Sequence, residues 1–320
     1  LSFPYTKYIL LKLVLKFITF FNVIHSCQIK LNNMKSFQYK LLILLLFMGC
    51  TTKSPLSNRY VSKKKNIEHL VELGKSHWER RVDLNDAKLS NHFLLKAIEL
   101  DPKNSEIMAL FSRSCYFIGR FINNNSESSD SLFILGYTKS WGHIIASDAF
   151  QNGYESVSGD SIAKTIAGLE NLSEELLPVA YWWAENYTSY LLTKPVLQRI
   201  ESREIIETVI HHILSVNPEY NYHGANRIFG TFYAKLPGIN LDQSKNNFDK
   251  SISIEPNFMT SYTLRAQYFS TKAGDEDLFI KDLQLVLNAD PTKLPEASPE
   301  NLFEQEKAKY LLSRKESLFE

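Results

Sequence analysis

Cysteine is scarce in this sequence, and its scarcity excludes two kinds of stabilising site. Three cysteines occur in 320 residues, and only Cys115 lies after Cys50. A single cysteine in the main part of the chain cannot form an internal disulfide, and no Cys-x-x-Cys pair is present to bind a metal ion. We expect Cys115 to be a buried and inert thiol within its apolar segment.

Motifs of catalysis are missing as well. The chain has no His-Glu-x-x-His zinc motif, P-loop, Gly-x-Ser-x-Gly elbow or Gly-x-Gly-x-x-Gly motif. The adjacent His211 and His212 point in different directions on a helix and do not form a metal pair. Acidic pairs such as Glu174 and Glu175 are typical of solvated helix starts. We therefore predict no catalytic residue, no metal ion and no cofactor, and we do not expect an enzyme.

Acidic residues are absent from the start of the chain. Residues 1–49 contain six of the 36 basic residues and none of the 35 acidic ones. The rest of the chain carries 30 basic against 35 acidic residues, so it has no electrostatic reason to bind nucleic acid. Residues 1–33 begin without methionine, and Lys12 and Lys16 interrupt their apolar stretch. We predict that they are upstream sequence and that synthesis begins at Met34.

Residues 34–49 have the pattern of a bacterial lipoprotein signal peptide. Lys35 and Lys40 precede eight apolar residues, and Gly49 and then Cys50 follow. An apolar run of this length can enter a bilayer but cannot span it, since a span takes about 20 residues. Such signals usually carry Leu where Phe47 stands. We predict a lipid on Cys50; an ordinary signal peptide or a short membrane anchor is the alternative.

A lipid on Cys50 would anchor the protein to a membrane face in the bacterial periplasm. Thr51 and Thr52 follow the cysteine, and neither is the Asp that retains lipoproteins at the inner membrane. We therefore expect the outer membrane. Residues 50–65 are polar and basic, and we predict a flexible lipid-anchored tether there.

From residue 66 to residue 320 the sequence predicts an all-α domain. Pro218, Pro256 and Pro291 each follow an amphipathic helix, at spacings of 38 and 35 residues, and Asp275 is placed to cap the last of these helices. Tetratricopeptide (TPR) repeats have a period of about 34 with a proline after the second helix. No alternating pattern of a strand competes. We predict TPR-like helical hairpins, packed as an α-solenoid or a compact helical superhelix. Outside the repeats we predict a polar loop at 123–131 and helices at Leu132–Asn152, Ser161–Leu169 and Leu302–Phe319.

Two aromatic-rich segments carry a resemblance to a known family. They are Leu176–Tyr187, which contains Tyr-Trp-Trp, and Asn221–Gly238, which reads Asn-Tyr-His-Gly-Ala-Asn-Arg and ends in Leu-Pro-Gly. With the helices that follow, they resemble the C-terminal half of the TatT family, the lipoprotein T-component of TRAP (tripartite ATP-independent periplasmic) transporters. The resemblance covers roughly residues 66–315 and is weak from Gly119 to Leu169.

The resemblance implies an all-α periplasmic lipoprotein with an internal pore or cavity. It also implies a homo-oligomer, for example a trimer, and pairing with the transporter's soluble substrate-binding protein. The ligand would be a small organic acid or a hydrophobic molecule. The alternative function is a TPR-like protein–protein interaction scaffold at the outer membrane with no ligand.

Aromatic and charged side chains in these two segments are candidates for lining a pore. Tyrosine and tryptophan combine apolar area with a polar group, which suits a ligand channel, although plain helix packing explains them as well. His223 and Arg227 are four residues apart, so on a helix they would share a face. Arg227 could bind an anionic ligand or form a salt bridge between repeats. The candidates are Tyr181, Trp182, Trp183, Tyr187, His223, Arg227, Phe229 and Tyr233.

Replacing Cys50 tests the lipid anchor. We expect Cys50→Ser to move the protein from the membrane fraction to the soluble fraction, because serine cannot carry the thioether-linked lipid. Fractionation of cells followed by immunoblotting measures the change, with Cys115→Ser as the matched control. Continued membrane retention of Cys50→Ser would count against lipidation.

Overall fold

The computed structural model describes residues 55–121 and 126–320, and within them the protein is all α-helical, as the sequence predicts. Cys50, the signal peptide and residues 1–54 lie outside the described residues. Contacts divide the chain into a unit of residues 1–61 and a unit of residues 62–320, and the packing below concerns the second. No helix in the described ranges has the length and apolar character needed to cross a membrane.

The first half of the described chain forms eight α-helices and one short 3₁₀ turn, Glu174–Leu176. The helices are α1 Pro55–Glu79, α2 Leu84–Leu100, α3 Ser105–Phe121, α4 Ser126–Ile145, α5 Asp148–Ser156, α6 Ser161–Glu170, α7 Leu177–Leu191 and α8 Val196–Glu201.

The second half continues in the same way. Its helices are α9 Arg203–Val216, α10 Tyr220–Lys235, α11 Leu241–Ile254, α12 Thr260–Leu264, α13 Thr271–Ala273, α14 Glu276–Asn288, α15 Ser298–Ser313 and α16 Lys315–Phe319. A π-helical turn, Arg265–Ser270, joins α12 to α13, and a 3₁₀ turn, Pro295–Ala297, precedes α15.

Several helix ends follow from local side chains. The carboxylates of Asp83, Asp160 and Asp275 accept hydrogen bonds from backbone N–H groups in the first turns of α2, α6 and α14. Such caps satisfy donors that have no partner inside the helix. Asp275 is the cap that the sequence predicts for the last repeat.

Four boundaries differ from the sequence prediction. The helix expected at Leu132–Asn152 breaks at Ser147, whose hydroxyl caps a new helix, α5, by accepting from the Phe150 N–H. The C-terminal helix likewise divides, near Arg314. The predicted tether is helical from Pro55 onward, where the lysine run consists of good helix formers. The predicted polar loop is helical from Ser126 onward, and residues 122–125 lie outside the described residues.

Helices that follow each other along the chain pack in pairs, notably α2 with α3, α5 with α6, α10 with α11 and α14 with α15. Helix α7 lies at the centre and contacts α3, α4, α9 and α10. Because it has neighbours on several sides, α7 buries Val179, Ala180, Tyr181 and Ala184 completely. Neighbours on several sides explain why apolar residues occur on several faces of this helix.

Buried ion pairs join helix α15, near the C-terminus, to α3 and to the turn after α1. Glu300 of α15 accepts hydrogen bonds from Arg81 at 2.7 Å and from Arg113 at 3.0 Å. One turn along α15, Glu304 pairs with Arg120 at 2.7 Å. Phe303 lies between these carboxylates and stacks on Phe121, with ring centroids 5.4 Å apart. These contacts join elements about 180 to 220 residues apart in sequence.

A glycine pair tests the packing of α5 against α6. A Cβ on Gly153 would lie 2.4 Å from the carbonyl oxygen of Ala167, whereas a Cβ on Gly142 would meet nothing within 4 Å. We expect Gly153→Ala to lower the free energy of unfolding by about 1–3 kcal/mol. The control Gly142→Ala should raise it by about 0.5–1 kcal/mol, because alanine favours the helix. Urea denaturation measures both, and equal effects would contradict the close approach.

Candidate functional site

Three concave spaces lie next to one another around α3 and α7. The first, the outer groove, is open to the surface and has a volume of about 810 Å³. Ala109, Leu110, Pro178 and Tyr220 form its apolar floor, together with Trp182. Charged residues border it on both sides: Asp101, Lys103, Glu106, Arg113 and Glu175. The groove can therefore accept an apolar group with a charged rim around it.

Arg113 and Trp182 also line a second space, the inner cavity. The Arg113 guanidinium lies over the rings of Trp78 and Trp182, at 5.0 Å and 5.4 Å from their centroids. The inner cavity has a volume of about 20 Å³. A cavity of this size holds about one water molecule. Arg113 and Trp182 thus form the partition between the groove and the inner cavity.

A third space, the far pocket, begins on the other side of Tyr116 and Glu185, which line both it and the inner cavity. Its volume is about 340 Å³. Polar residues from five elements line it: Arg120, Thr188, Thr231, Gln267 and Lys307. The ring of Tyr116 packs against Trp182 with centroids 5.7 Å apart. The two partitions are therefore in contact with each other.

The start of α10 borders this series of spaces with an unusual backbone. Asn221, Tyr222 and His223 all have left-handed conformations, with φ between 49° and 57°. Such residues cost roughly 1–2 kcal/mol each, so something must hold them in place. Arg227 does so: its guanidinium donates to the carbonyls of Asn221, at 2.5 Å, and Tyr222.

Other contacts complete this turn. The Arg227 guanidinium lies 4.3 Å from the centroid of the Phe258 ring, and Tyr222 stacks on the same ring. The next residue is Gly224, where a Cβ would lie 2.2 Å from the Tyr181 hydroxyl oxygen. Only glycine allows α7 and α10 to approach so closely. This close approach explains why the sequence has glycine at position 224.

Two buried carboxyl groups that line the inner cavity, those of Glu185 and Glu300, have pKa values shifted in opposite directions. Burial raises the pKa of Glu185, and Arg227 and the Tyr181 hydroxyl offset this only in part. Burial also acts to raise the pKa of Glu300, but Arg113 and Arg81 more than offset it, so that pKa lies below its usual value. Glu300 is therefore held as an anion, whereas Glu185 favours its protonated form more than a free carboxyl does.

Several residues that line these spaces have a buried polar atom with no hydrogen-bond partner among the described residues. At the inner cavity they are Nε of Arg113, Nε of Arg227 and Oγ1 of Thr260. At the far pocket they are Oγ1 of Thr188, Oγ1 of Thr231 and Oε1 of Gln267. Each atom has less than 1 Å² of accessible surface, so these atoms are enclosed by packing and do not open onto the spaces. Within 55–121 and 126–320, no three His, Cys, Asp or Glu side chains converge as metal ligands.

Of the eight candidates from the sequence, Trp182 and Arg227 line these spaces. The others pack in or against the hydrophobic core. Tyr181 donates to Glu185, Trp183 packs on Trp141, and the Tyr187 hydroxyl pairs with Ser202 at 2.7 Å. Phe229 stacks on Tyr233, and His223 is buried with a lowered pKa.

The shared face expected for His223 and Arg227 is wrong, because a left-handed residue at 223 does not continue the helix. Sequence analysis missed the polar residues that line the cavities. Glu185 could have been noticed as an acidic residue that follows an apolar and aromatic run. Arg113, by contrast, looks like any polar residue of an amphipathic helix, and the helix of Glu300 and Lys307 has no separate apolar face that would set them apart.

Comparison with models of known protein families gives a match. A family model described as TAtT, TRAP transporter T-component, matches residues 125–319, which is more than half of the chain. The matched range contains α7, α10 and α15 and most residues of the far pocket. No curated protein matches the chain.

Replacing Arg227 tests its hold on the left-handed turn. We expect Arg227→Met to lower the free energy of unfolding by about 2–4 kcal/mol, because two backbone carbonyls lose their charged donor. Arg203→Met is the control. Arg203 is exposed, and among the described residues its ion pair is with Glu207, so we expect this substitution to lower the free energy of unfolding by about 0.5 kcal/mol. Guanidinium denaturation measures both variants. Equal stabilities would show that Arg227 does not support the turn.

Proposed function

The chain belongs to the TRAP transporter T-component family, and we propose that it acts as a membrane-anchored accessory protein of a TRAP-type transport system in the periplasm. The family match over residues 125–319 is the observation that carries this proposal. The role is one of binding and transfer without catalysis. It needs a partner that brings or takes a ligand and a place where the ligand resides.

The partner in this proposal is the soluble substrate-binding protein of the transporter. The outer groove is the surface that suits it, because an apolar floor with a charged rim resembles the composition of transient protein interfaces. Lys103 and Arg113 stand opposite acidic residues around the groove, so its rim is of mixed charge. Mixed charge favours a specific orientation of the partner.

The ligand in this proposal is a small organic or hydrophobic molecule, and the outer groove and the far pocket are the two spaces described above that are large enough to hold one. Arg113 and Trp182 separate the groove from the inner cavity, and Tyr116 and Glu185 separate that cavity from the far pocket. Because the inner cavity holds about one water molecule, these side chains would have to move for a ligand to pass between the two larger spaces.

The anchor in this proposal is the lipid on Cys50. One or more acyl chains hold a protein at a membrane surface without a spanning helix. The protein would then act from the periplasmic face, with the outer membrane as the expected site, and it would assemble as a homo-oligomer such as a trimer.

Partner capture tests the proposal. We would tag the protein from Thr51 onward at its C-terminus, expose it to periplasmic extract and analyse the eluate by native mass spectrometry. We expect a substrate-binding protein, and the mass of the complex gives its stoichiometry and the oligomeric state. A bait with Lys103→Glu, an exposed residue that borders the groove, is the matched control and should capture less. Recovery of outer-membrane assembly proteins instead would favour the scaffold.

A further inference from the structure

Positive charge is concentrated in the first part of α1 and in the residues just before it. Between Cys50 and Ile67 the chain has no acidic residue and five basic ones, which are Lys53, Arg59, Lys63, Lys64 and Lys65. Residues 68–320 carry 25 basic against 35 acidic residues. The net charges of the two parts are therefore +5 and −10. A negatively charged surface would attract the first part and repel the second.

The first part of α1 also lacks packing contacts. Residues 62–66 are all exposed, whereas Ile67, Leu70 and Val71 pack against the hydrophobic core. The face of α1 that joins the core thus begins one turn after the lysines. Most of the stability of a helix in a protein comes from packing of an apolar face, and residues 62–66 have no such face.

The three consecutive lysines are not neutralised within the protein. Lys63 and Lys65 form no ion pair with any described residue. Lys64 pairs with Glu68 at 3.9 Å, and both side chains are exposed. Exposed pairs contribute little, so this contact leaves Lys64 free to meet another anion. The lysines therefore form a charged surface that no part of the described chain covers.

The position of these lysines in the chain places them close to the predicted lipid anchor. Five residue steps separate Cys50 from Pro55, where α1 begins, and an extended chain covers at most about 18 Å in that number of steps. Lys63 then lies about 12 Å further along the helix. A membrane that holds a lipid on Cys50 is therefore within reach of all three ammonium groups.

We propose that the first part of α1 binds the surface of an anionic phospholipid bilayer through Lys63, Lys64 and Lys65. The proposal rests on the proposed function for the lipid on Cys50, which keeps this surface at a high effective concentration. The acidic body of a second copy also offers negative charge, but the anchor favours the bilayer as the surface that α1 meets. Repulsion between that bilayer and residues 68–320 favours an orientation in which the rest of the domain faces away from it.

Vesicle co-sedimentation of protein without a lipid tests the proposal. We would produce the chain from residue 50 onward with Cys50→Ser and compare vesicles of phosphatidylcholine with vesicles of equal parts phosphatidylcholine and phosphatidylglycerol. We expect binding to the anionic vesicles at about 0.01 M salt and its loss at about 1 M, because the Debye length falls from about 30 Å to about 3 Å. Adding Lys63→Gln, Lys64→Gln and Lys65→Gln should weaken this binding roughly a hundredfold, about a factor of five per lysine.

The matched control carries Lys88→Gln, Lys139→Gln and Lys281→Gln in the same Cys50→Ser background. These three lysines are exposed and lie on other helices, so the control loses the same charge from elsewhere. It should retain most of the binding. Thermal unfolding followed by circular dichroism should show that both triple variants are folded, since all six positions are exposed.

Four outcomes would overturn the proposal: equal binding to both kinds of vesicle, binding that salt does not weaken, equal losses in the two triple variants, or a lysine-dependent oligomer. Sedimentation velocity without vesicles measures the last of these. An oligomer that the substitutions at 63–65 dissociate would assign the surface to a second copy. Because the tested protein carries no lipid and no partner, failure here is separate from failure of lipidation or of partner capture.

Discussion

The position of α15 in the domain depends on two of its buried carboxylates, Glu300 and Glu304. Glu300 meets Arg81, in the turn after α1, and Arg113 of α3, and Glu304 meets Arg120 of α3. Burying these charges costs several kcal/mol per ion, and the paired geometry offsets that cost. Removing one partner from such a pair typically costs about 3–5 kcal/mol because the other charge is left buried. The ion pairs therefore specify how α15 packs against α3 and against the turn that follows α1.

The same ion pairs also shape the interior. Arg113 is engaged by Glu300 and lies over Trp182, so the contact that holds α15 in place also positions the partition beside the outer groove. Arg120, which lines the far pocket, is engaged by Glu304. A domain held together by apolar packing alone would have no charged partition.

The left-handed turn at the start of α10 adds a second constraint. Asn221, Tyr222 and His223 adopt a costly conformation that Arg227 holds from four residues further along. Strain of this kind persists where surrounding contacts over-determine it and often occurs at functional sites. Here it places Tyr220 at the outer groove and Asn221 at the inner cavity. The backbone of one short segment thus contributes to two neighbouring spaces.

The sequence by itself determined the helical class, the cap at Asp275 and the family, because periodicity, capping and segment composition are local properties. It also offered Trp182 and Arg227 among eight candidate pore residues, and the structure places these two, but not the other six, at the walls of the spaces described above. It did not single out Glu300 or Glu304, because nothing in the local sequence distinguishes them from the other polar residues of α15. Only the tertiary structure decided that these two carboxylates are buried in ion pairs, because their arginine partners lie far away in the chain.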